Sequence, residues 1–176
     1  MNGKTAIFAL DQSSTHIGWA VMIGDVIESY GEERADPPNY DLVRDWVRDH
    51  IGTLQDEGYH VICVVEDLYL NYYPVRNNKT GRVERKPQVK VFETLVRVQS
   101  HIWAAARDMK CQVEVITPYE AMHVLTGITD VKTKREIRKA HMVKCASEML
   151  GTTVSDHVAD ALGIGLAFLK KQADPV

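Results

Sequence analysis

Four residues with metal-binding side chains stand next to, or inside, apolar segments of this sequence: Asp11, Glu66, His157 and Asp160. Asp11 follows the apolar run AIFAL, and Glu66 follows the run VICVV. His157 and Asp160 lie at the start of an Ala- and Leu-rich segment that reads as a helix. Burying a charge at the end of an apolar segment costs free energy, unless another group compensates for the lost hydration. Three such places in one chain indicate that these side chains converge on a shared cation.

The ligand types point to a hard divalent cation. Carboxylates and water suit Mg²⁺ or Mn²⁺, and a single histidine among them does not make a zinc site. Two such ions about 3.5–4 Å apart would stabilise the attacking and leaving oxygens in a phosphodiester displacement. We therefore expect Mg²⁺ or Mn²⁺ as the cofactor, with two ions in the site.

Each of these residues also has a simpler explanation. Asp11 could bond the turn that follows it, Glu66 could be an exposed loop acid, and His157 could be a surface histidine. Asp156 is better explained as an acid that complements the positive end of the last helix. Asp160 is harder to explain in this way, because its neighbours along the helix are mostly apolar and leave little polar face.

The charge is divided unevenly along the chain, although the net charge is only −3. Up to Asp67, thirteen acids face four bases, whereas from Leu68 onward seventeen bases face eleven acids. The bases cluster in two stretches, and such clustering is typical of a polyanion partner, although two solvated faces would give the same pattern. The bases of these stretches expected to contact such a polyanion are Arg76, Lys79, Arg82, Arg85, Lys86, Lys90, Lys132, Lys134 and Arg135.

Size and composition favour one globular domain over residues 1–176, because the chain is 45% hydrophobic and long enough to bury a core. No apolar run reaches the roughly 18 residues of a membrane span, and the start of the chain does not resemble a signal peptide. The three cysteines are widely spaced and form no CxxC pair. Structural thiols in the cytoplasm are therefore expected.

The apolar periodicity predicts the element order β-β-β-α-β-α-β-α-α-α, which implies a mixed five-stranded α/β sheet with helices on both faces. Between the fourth strand and the second long helix, the polar and basic stretch Tyr69 to Pro87 predicts a loop or a hairpin that turns near Lys79-Thr80-Gly81. The predicted strands are Thr5 to Leu10, Ile17 to Met22, Asp25 to Tyr30, His60 to Val65 and Val113 to Ile116. The predicted helices are Leu42 to Leu54, Val89 to Met109, Pro118 to Gly127, Lys132 to Leu150 and Ser155 to Lys171.

This arrangement can bring the four candidate ligands together. Asp11 and Glu66 lie side by side only if the first and fourth strands are parallel neighbours, and both would then stand at the carboxyl-terminal edge. His157 and Asp160 are three residues apart in the last helix and share one of its faces.

The order of these motifs resembles the RuvC-type Holliday-junction resolvases. The segments that carry the resemblance are IFALDQSSTHIGWAV, VVEDLYL and SDHVADALGIGLA. The resemblance implies a ribonuclease H-like fold, a homodimer, and Mg²⁺- or Mn²⁺-dependent paired nicking of four-way DNA junctions. It also implies that Asp11, Glu66, His157 and Asp160 form the metal-binding and catalytic set, and that Tyr69 stacks at the junction centre.

The chain departs from the pattern of the cellular bacterial enzymes in two places. The stretch from Asn71 to Pro87 is longer and more basic, and Gln12-Ser13-Ser14 replaces a Pro-Gly start to the loop after Asp11. These departures suggest a bacteriophage or otherwise divergent member, in the host cytoplasm if phage-encoded. The alternatives are a broader branched-DNA nuclease, an actin-like or sugar-kinase-type ATP-binding protein, and a non-catalytic junction-binding protein. The sequence lacks the Gly-rich phosphate loops expected of the ATP-binding class.

Overall fold

A computed structural model describes residues 4–13, 15–34, 40–68, 72–76, 83–130 and 133–174. Its strands are β1 (Thr5–Gln12), β2 (His16–Ile23), β3 (Val26–Arg34), β4 (His60–Glu66), β5 (Tyr72–Arg76), β6 (Val83–Pro87) and β7 (Gln112–Ile116). Its helices are α1 (Tyr40–Asp56), α2 (Val89–Asp108), α3 (Pro118–Thr126), α4 (Arg135–Leu150) and α5 (Asp156–Ala173).

The main sheet has five strands in the order β3-β2-β1-β4-β7. β1, β2 and β3 form an antiparallel meander, while β4 runs parallel to β1 and β7 runs parallel to β4. The mixed five-stranded sheet predicted from the sequence is therefore confirmed. β1 and β4 are parallel neighbours, and their register pairs Leu10 with Val65, one residue before each of the two acids.

The two faces of the sheet are covered by different helices, as predicted. On one face, Ile7, Ala9 and Val64 pack against α3, α4 and α5. On the other face, the neighbouring residues along the same strands, such as Phe8 and Val65, pack against α1 and α2. Because successive side chains of a strand point to opposite faces, each strand of the sheet contributes to both cores.

Three sequence predictions need correction. β1 and β4 each extend past their apolar runs, so Asp11 and Glu66 lie within the strands. The helix expected from Lys132 begins at Arg135 instead, with Lys134 as its extended N-cap residue. The third strand, expected to end at Tyr30, runs on to Arg34. In the stretch after β4, the hairpin that was one of the two predicted forms is present, because β5 and β6 pair antiparallel. The proposed turn near Lys79-Thr80-Gly81 lies outside the described residues.

None of the helices in the described residues has both the length and the apolar character needed to cross a membrane. The cytoplasmic location stays a prediction.

Helix α5 approaches the sheet closely at glycines. A β-carbon added at Gly18 of β2 would lie 2.0 Å from the backbone oxygen of His157, and one at Gly165 would lie 2.7 Å from the Met22 side chain. Since real β-carbons essentially never come closer than 3.0 Å to such atoms, the first turn of α5 rests directly on β2 at Gly18. This contact fixes where the first turn of α5 stands above the sheet.

Candidate metal centre

Asp11 and Glu66 lie on the face of the sheet that α5 covers. Ile7 and Ala9 of β1 and Val64 of β4 pack in the core beneath α5. Asp11 and Glu66 each lie two residues further along these strands, so their side chains point to the same face. Since the two strands are parallel, both acids stand at the same carboxyl-terminal edge. The sheet thus places two carboxylates under the N-terminal turn of α5.

The first turn of α5 brings His157 to Asp11. The Nδ1 atom of His157 lies 2.8 Å from Oδ2 of Asp11, and Nδ1 is the donor because an ionised carboxylate only accepts. This hydrogen bond raises the pKa of His157. Asp11 is 5% exposed and the His157 side chain is 22% exposed, so the pair joins a buried carboxylate to a half-buried imidazole.

The remaining two carboxylates are coupled electrostatically to Asp11. Burial, followed by the negative charges of Asp11 and Asp160, raises the pKa of Glu66 to about 8. Burial, again followed by the charge of Asp11, raises the pKa of Asp160 to about 7. Groups with these shifts lack a sufficient positive partner, and such perturbed carboxylates are common at functional sites.

A divalent cation fits this donor set. Three carboxylates and one imidazole offer the oxygen-rich environment that Mg²⁺ or Mn²⁺ prefers, and a cation would relieve the repulsion that raises the pKa of Glu66 and Asp160. The carboxylates are not tightly clustered: within the described part of the chain, Asp11, Glu66 and Asp160 do not form a group whose ligand atoms all lie within 4.8 Å of one another.

Lys139 of α4 is a neighbour of this site that sequence reasoning did not single out. Its ammonium forms an ion pair with Asp156 and lies 3.8 Å from Oδ2 of Asp160. The hydrogen bond from Lys139 lowers the pKa of Asp156. Asp156 occupies the first turn of α5, whose N-cap Ser155 accepts a hydrogen bond from the backbone of Val158. Lys139 therefore ties α4 to the start of α5.

Two glutamines hold the end of β4 from the opposite side of the sheet. Gln12 and Gln99 both donate from Nε2 to the backbone oxygen of Glu66, at 2.7 and 3.0 Å. This double contact anchors the strand end that carries the Glu66 carboxylate. No sequence pattern indicates this role for Gln99, which reaches the strand from α2.

The predicted DNA-contacting residues are described only in part. Lys90, Lys134 and Arg135 are exposed, and Arg135 lies near enough to the site for its charge to oppose the rise in the pKa of Glu66. Arg76, Arg85 and Lys86 lie on the hairpin strands, where only the backbone is described. Tyr69, Lys79, Arg82 and Lys132 lie outside the described residues.

A prediction about stability follows from the raised pKa of Glu66. Because the folded protein holds this proton up to about pH 8 while an ordinary glutamate releases it near 4.5, the folded state binds more protons between these values. Stability should then fall as the pH rises through this window, by at most about 1.4 kcal/mol per pH unit. Glu66→Gln should flatten the fall and make the metal-free protein more stable than wild type at pH 8, as measured by urea unfolding.

The control for this experiment is Glu93→Gln, at an exposed position on α2. It should leave the pH dependence of the unfolding free energy as it is in wild type. A Glu66→Gln protein that loses stability with pH as steeply as wild type would contradict the proposed protonation.

The fold is the ribonuclease H-like fold of RuvC-type resolvases, as a search of solved structures shows. The sequence itself matches no protein-family model and no curated protein. RuvC of Thermus thermophilus in complex with a Holliday junction substrate superposes with a TM-score of 0.63 and 14% identity over 96% of each chain. The yeast mitochondrial Holliday junction resolvase Ydc2 superposes with a TM-score of 0.59 and 12% identity, over 97% of this chain and 80% of its own. At such low identity the likeness establishes the fold, and it confirms the fold class predicted from the sequence.

Proposed function

We propose that this protein is a structure-selective DNA endonuclease that resolves four-way junctions by paired, metal-dependent phosphodiester hydrolysis. The observation that carries the proposal is the set of groups around Asp11: a bonded imidazole from α5 and two carboxylates whose pKa values are raised to about 8 and 7. The likeness of the fold to a RuvC bound to a Holliday junction directs the proposal towards branched DNA. We regard residues 1–176 as one nuclease domain.

Asp11, Glu66, Asp160 and His157 would hold the Mg²⁺ or Mn²⁺ ions, which we propose to be two. When bound, such ions stabilise the attacking and leaving oxygens of the phosphodiester and activate water. The chain's own residues orient the imidazole of the site and balance the charge of its carboxylates. Asp11 fixes the ring of His157 through Nδ1, which leaves Nε2 to act as a ligand or to position water and the leaving group. Lys139 offsets the negative charge near Asp160.

The basic residues at the start of α4 would bind the phosphates that flank this centre. The charge of Arg135 acts on Glu66, and Lys134 precedes Arg135 at the N-cap of α4. Phosphates are attracted both by these charges and by the N-terminus of the helix. The hairpin of β5 and β6, with Lys90 just beyond it, would extend the same contact along an arm of the junction.

Replacing Lys134 and Arg135 by glutamine should weaken junction binding in a salt-dependent manner. Each lost phosphate contact should reduce the slope of log K against log salt by about 0.9. The measurement is junction affinity by fluorescence anisotropy at several salt concentrations. Lys170→Gln provides the control, since it is exposed at the other end of α5, roughly 21 Å along the helix from Asp156. An unchanged slope in the double variant would remove these residues from the DNA interface.

We also propose that the protein is a homodimer, because a four-way junction with two-fold symmetry calls for two symmetric cuts. The apolar residues of α2 are divided between core and surface: Val98 and Ile102 are fully buried in the core, whereas Val91 is 48% exposed. Trp103, which is 45% exposed, lines a groove of about 880 Å³ between α2 and the edge strand β7. We propose this groove and the exposed side of α2 as the dimer interface.

Trp103→Glu should therefore produce a monomer, because it places a charge in an apolar contact. Light scattering coupled to size-exclusion chromatography measures the change in mass. The control is Val26→Glu, which alters another exposed apolar residue on β3, at the opposite edge of the sheet. A Trp103→Glu protein with the mass of wild type would exclude this interface.

The function itself is tested by incubating the protein with a four-way junction, a flap and a linear duplex, with and without Mg²⁺ or Mn²⁺. We expect metal-dependent cutting of the four-way junction and much slower cutting of the duplex. Equal cutting of the flap would indicate the broader branched-DNA nuclease. Absence of cutting on all three substrates, together with ATP hydrolysis, would favour the ATP-binding alternative.

A further inference from the structure

We propose a second metal site, formed by His16, Glu32 and His157, that takes a transition-metal cation of the Zn²⁺ type. Two of its ligands, His16 and Glu32, were not among the residues singled out from the sequence. The site shares His157 with the carboxylate centre but lies on its other side, above β2 and β3. Its existence does not depend on nuclease activity.

The three side chains meet because of strand register and the start of α5. β2 and β3 are antiparallel, and Glu32 pairs with Gly18, the residue on which His157 rests. His16 lies two residues before Gly18 on the same strand and therefore points to the same face. The α5 helix thus delivers His157 to the place where His16 and Glu32 already stand.

The distances are those of a ligand cluster. One ligand atom from each of the three residues lies within 4.8 Å of the other two. Nε2 of His16 is 3.7 Å from Oε1 of Glu32, and the rings of His16 and His157 stack with their centroids 5.7 Å apart.

Both imidazoles are held by a second hydrogen bond in the way that metal-binding histidines usually are. Nδ1 of His157 bonds to Asp11 at 2.8 Å, and Nδ1 of His16 bonds to the hydroxyl of Thr15 at 3.0 Å. These bonds leave Nε2 of each ring as the ligand atom, and such outer partners orient a histidine and raise its basicity. Asp11 would therefore support His157 here rather than bind the ion.

The ligand chemistry selects the kind of metal. Two imidazole nitrogens and one carboxylate suit Zn²⁺ and its neighbours in the transition series, whereas Mg²⁺ prefers oxygen ligands. Three protein ligands leave one tetrahedral position for water or an incoming group. The side chains of His16 and Glu32 are 40% and 29% exposed, so this position is open to solvent. Since His157 cannot serve both sites at once, a bound Zn²⁺ should inhibit cutting, a consequence that does rest on the proposed function.

The test is a titration of the full-length, metal-free protein with Co²⁺, followed by its visible d–d absorption, and with Zn²⁺, followed by calorimetry. Wild type should bind one ion with the strong absorption of tetrahedral Co²⁺. His16→Gln and Glu32→Gln should each weaken binding at least tenfold. Glu33→Gln is the matched control, because Glu33 is the exposed neighbour of Glu32 that points to the opposite face of the sheet. It should bind as wild type does.

Two results would overturn the proposal. The site is excluded if the wild-type protein, with one equivalent of Co²⁺ added, shows no absorption of tetrahedral Co²⁺. Binding that is unchanged in both His16→Gln and Glu32→Gln would place the ion at the carboxylates instead. Circular dichroism of each variant separates lost ligands from lost folding, and the exposed Glu32 provides a variant with little effect on the core. Because no DNA is present, neither result depends on whether the protein is a nuclease.

Discussion

Asp11→Asn is expected to abolish metal-dependent cutting of a four-way junction while leaving junction binding intact. The substitution keeps the shape of the side chain but removes the charge that would bind the cation and that accepts the hydrogen bond from His157. Loss of an outer partner of a metal ligand typically costs about 10–100-fold, so loss of a direct ligand should cost at least about a hundredfold. Single-turnover cutting rates measure the loss, and gel shift without divalent metal measures binding.

The matched control for this variant is Asp67→Asn. Asp67 is an exposed acid directly after Glu66, so the change has the same chemistry a few ångströms from the site. It should cut at the wild-type rate. Asp160→Asn should behave as Asp11→Asn does. If Asp11→Asn cuts normally, Asp11 does not belong to the catalytic set, and the central role given to it here is wrong.

Gly18→Ala is expected to be the most damaging substitution outside the candidate ligands. The added methyl carbon would lie 2.0 Å from the backbone oxygen of His157, and backbone atoms cannot rotate out of the way. Overpacking of this kind typically costs about 1–3 kcal/mol, occasionally more, and we expect the upper end. The first turn of α5 would have to move away from β2, which would also lengthen the contact between His157 and Asp11.

Urea unfolding measures this effect, with Gly52→Ala as the control. Gly52 lies within α1, and a β-carbon there would meet the Met109 side chain at an ordinary 3.5 Å. Alanine is favoured over glycine inside a helix by about 0.5–1 kcal/mol, so this variant should be as stable as wild type or more so. A Gly18→Ala protein of wild-type stability would contradict the close packing of α5 on β2.

The sequence was most informative about features that depend on local periodicity. The apolar runs of β1 and β4, the short helix from Pro118 and the helical spacing of His157 and Asp160 are all local, and the structure has the corresponding elements. The parallel pairing of β1 with β4 was inferred as a condition for bringing Asp11 and Glu66 together, and it is present.

The features that sequence reasoning missed arise between residues far apart in the chain. Glu32 belongs to the β2–β3 cluster only through the antiparallel register, and the predicted third strand ends at Tyr30, four residues before the end of β3. Lys139 reaches Asp156 across the turn between α4 and α5, a contact that no periodicity indicates. Only one side of α2 packs against α1 and the sheet. Some of its apolar residues are therefore buried in the core, while others are exposed on the surface.

The most direct test of the central claim is the cutting of a supercoiled plasmid that carries an extruded cruciform. Two coordinated cuts across the junction give linear DNA, whereas one cut gives a nicked circle. We predict linear product that requires Mg²⁺ or Mn²⁺ and disappears in Asp11→Asn. Plasmid that stays supercoiled with wild-type protein and either metal, or cutting that persists in Asp11→Asn, would contradict the account.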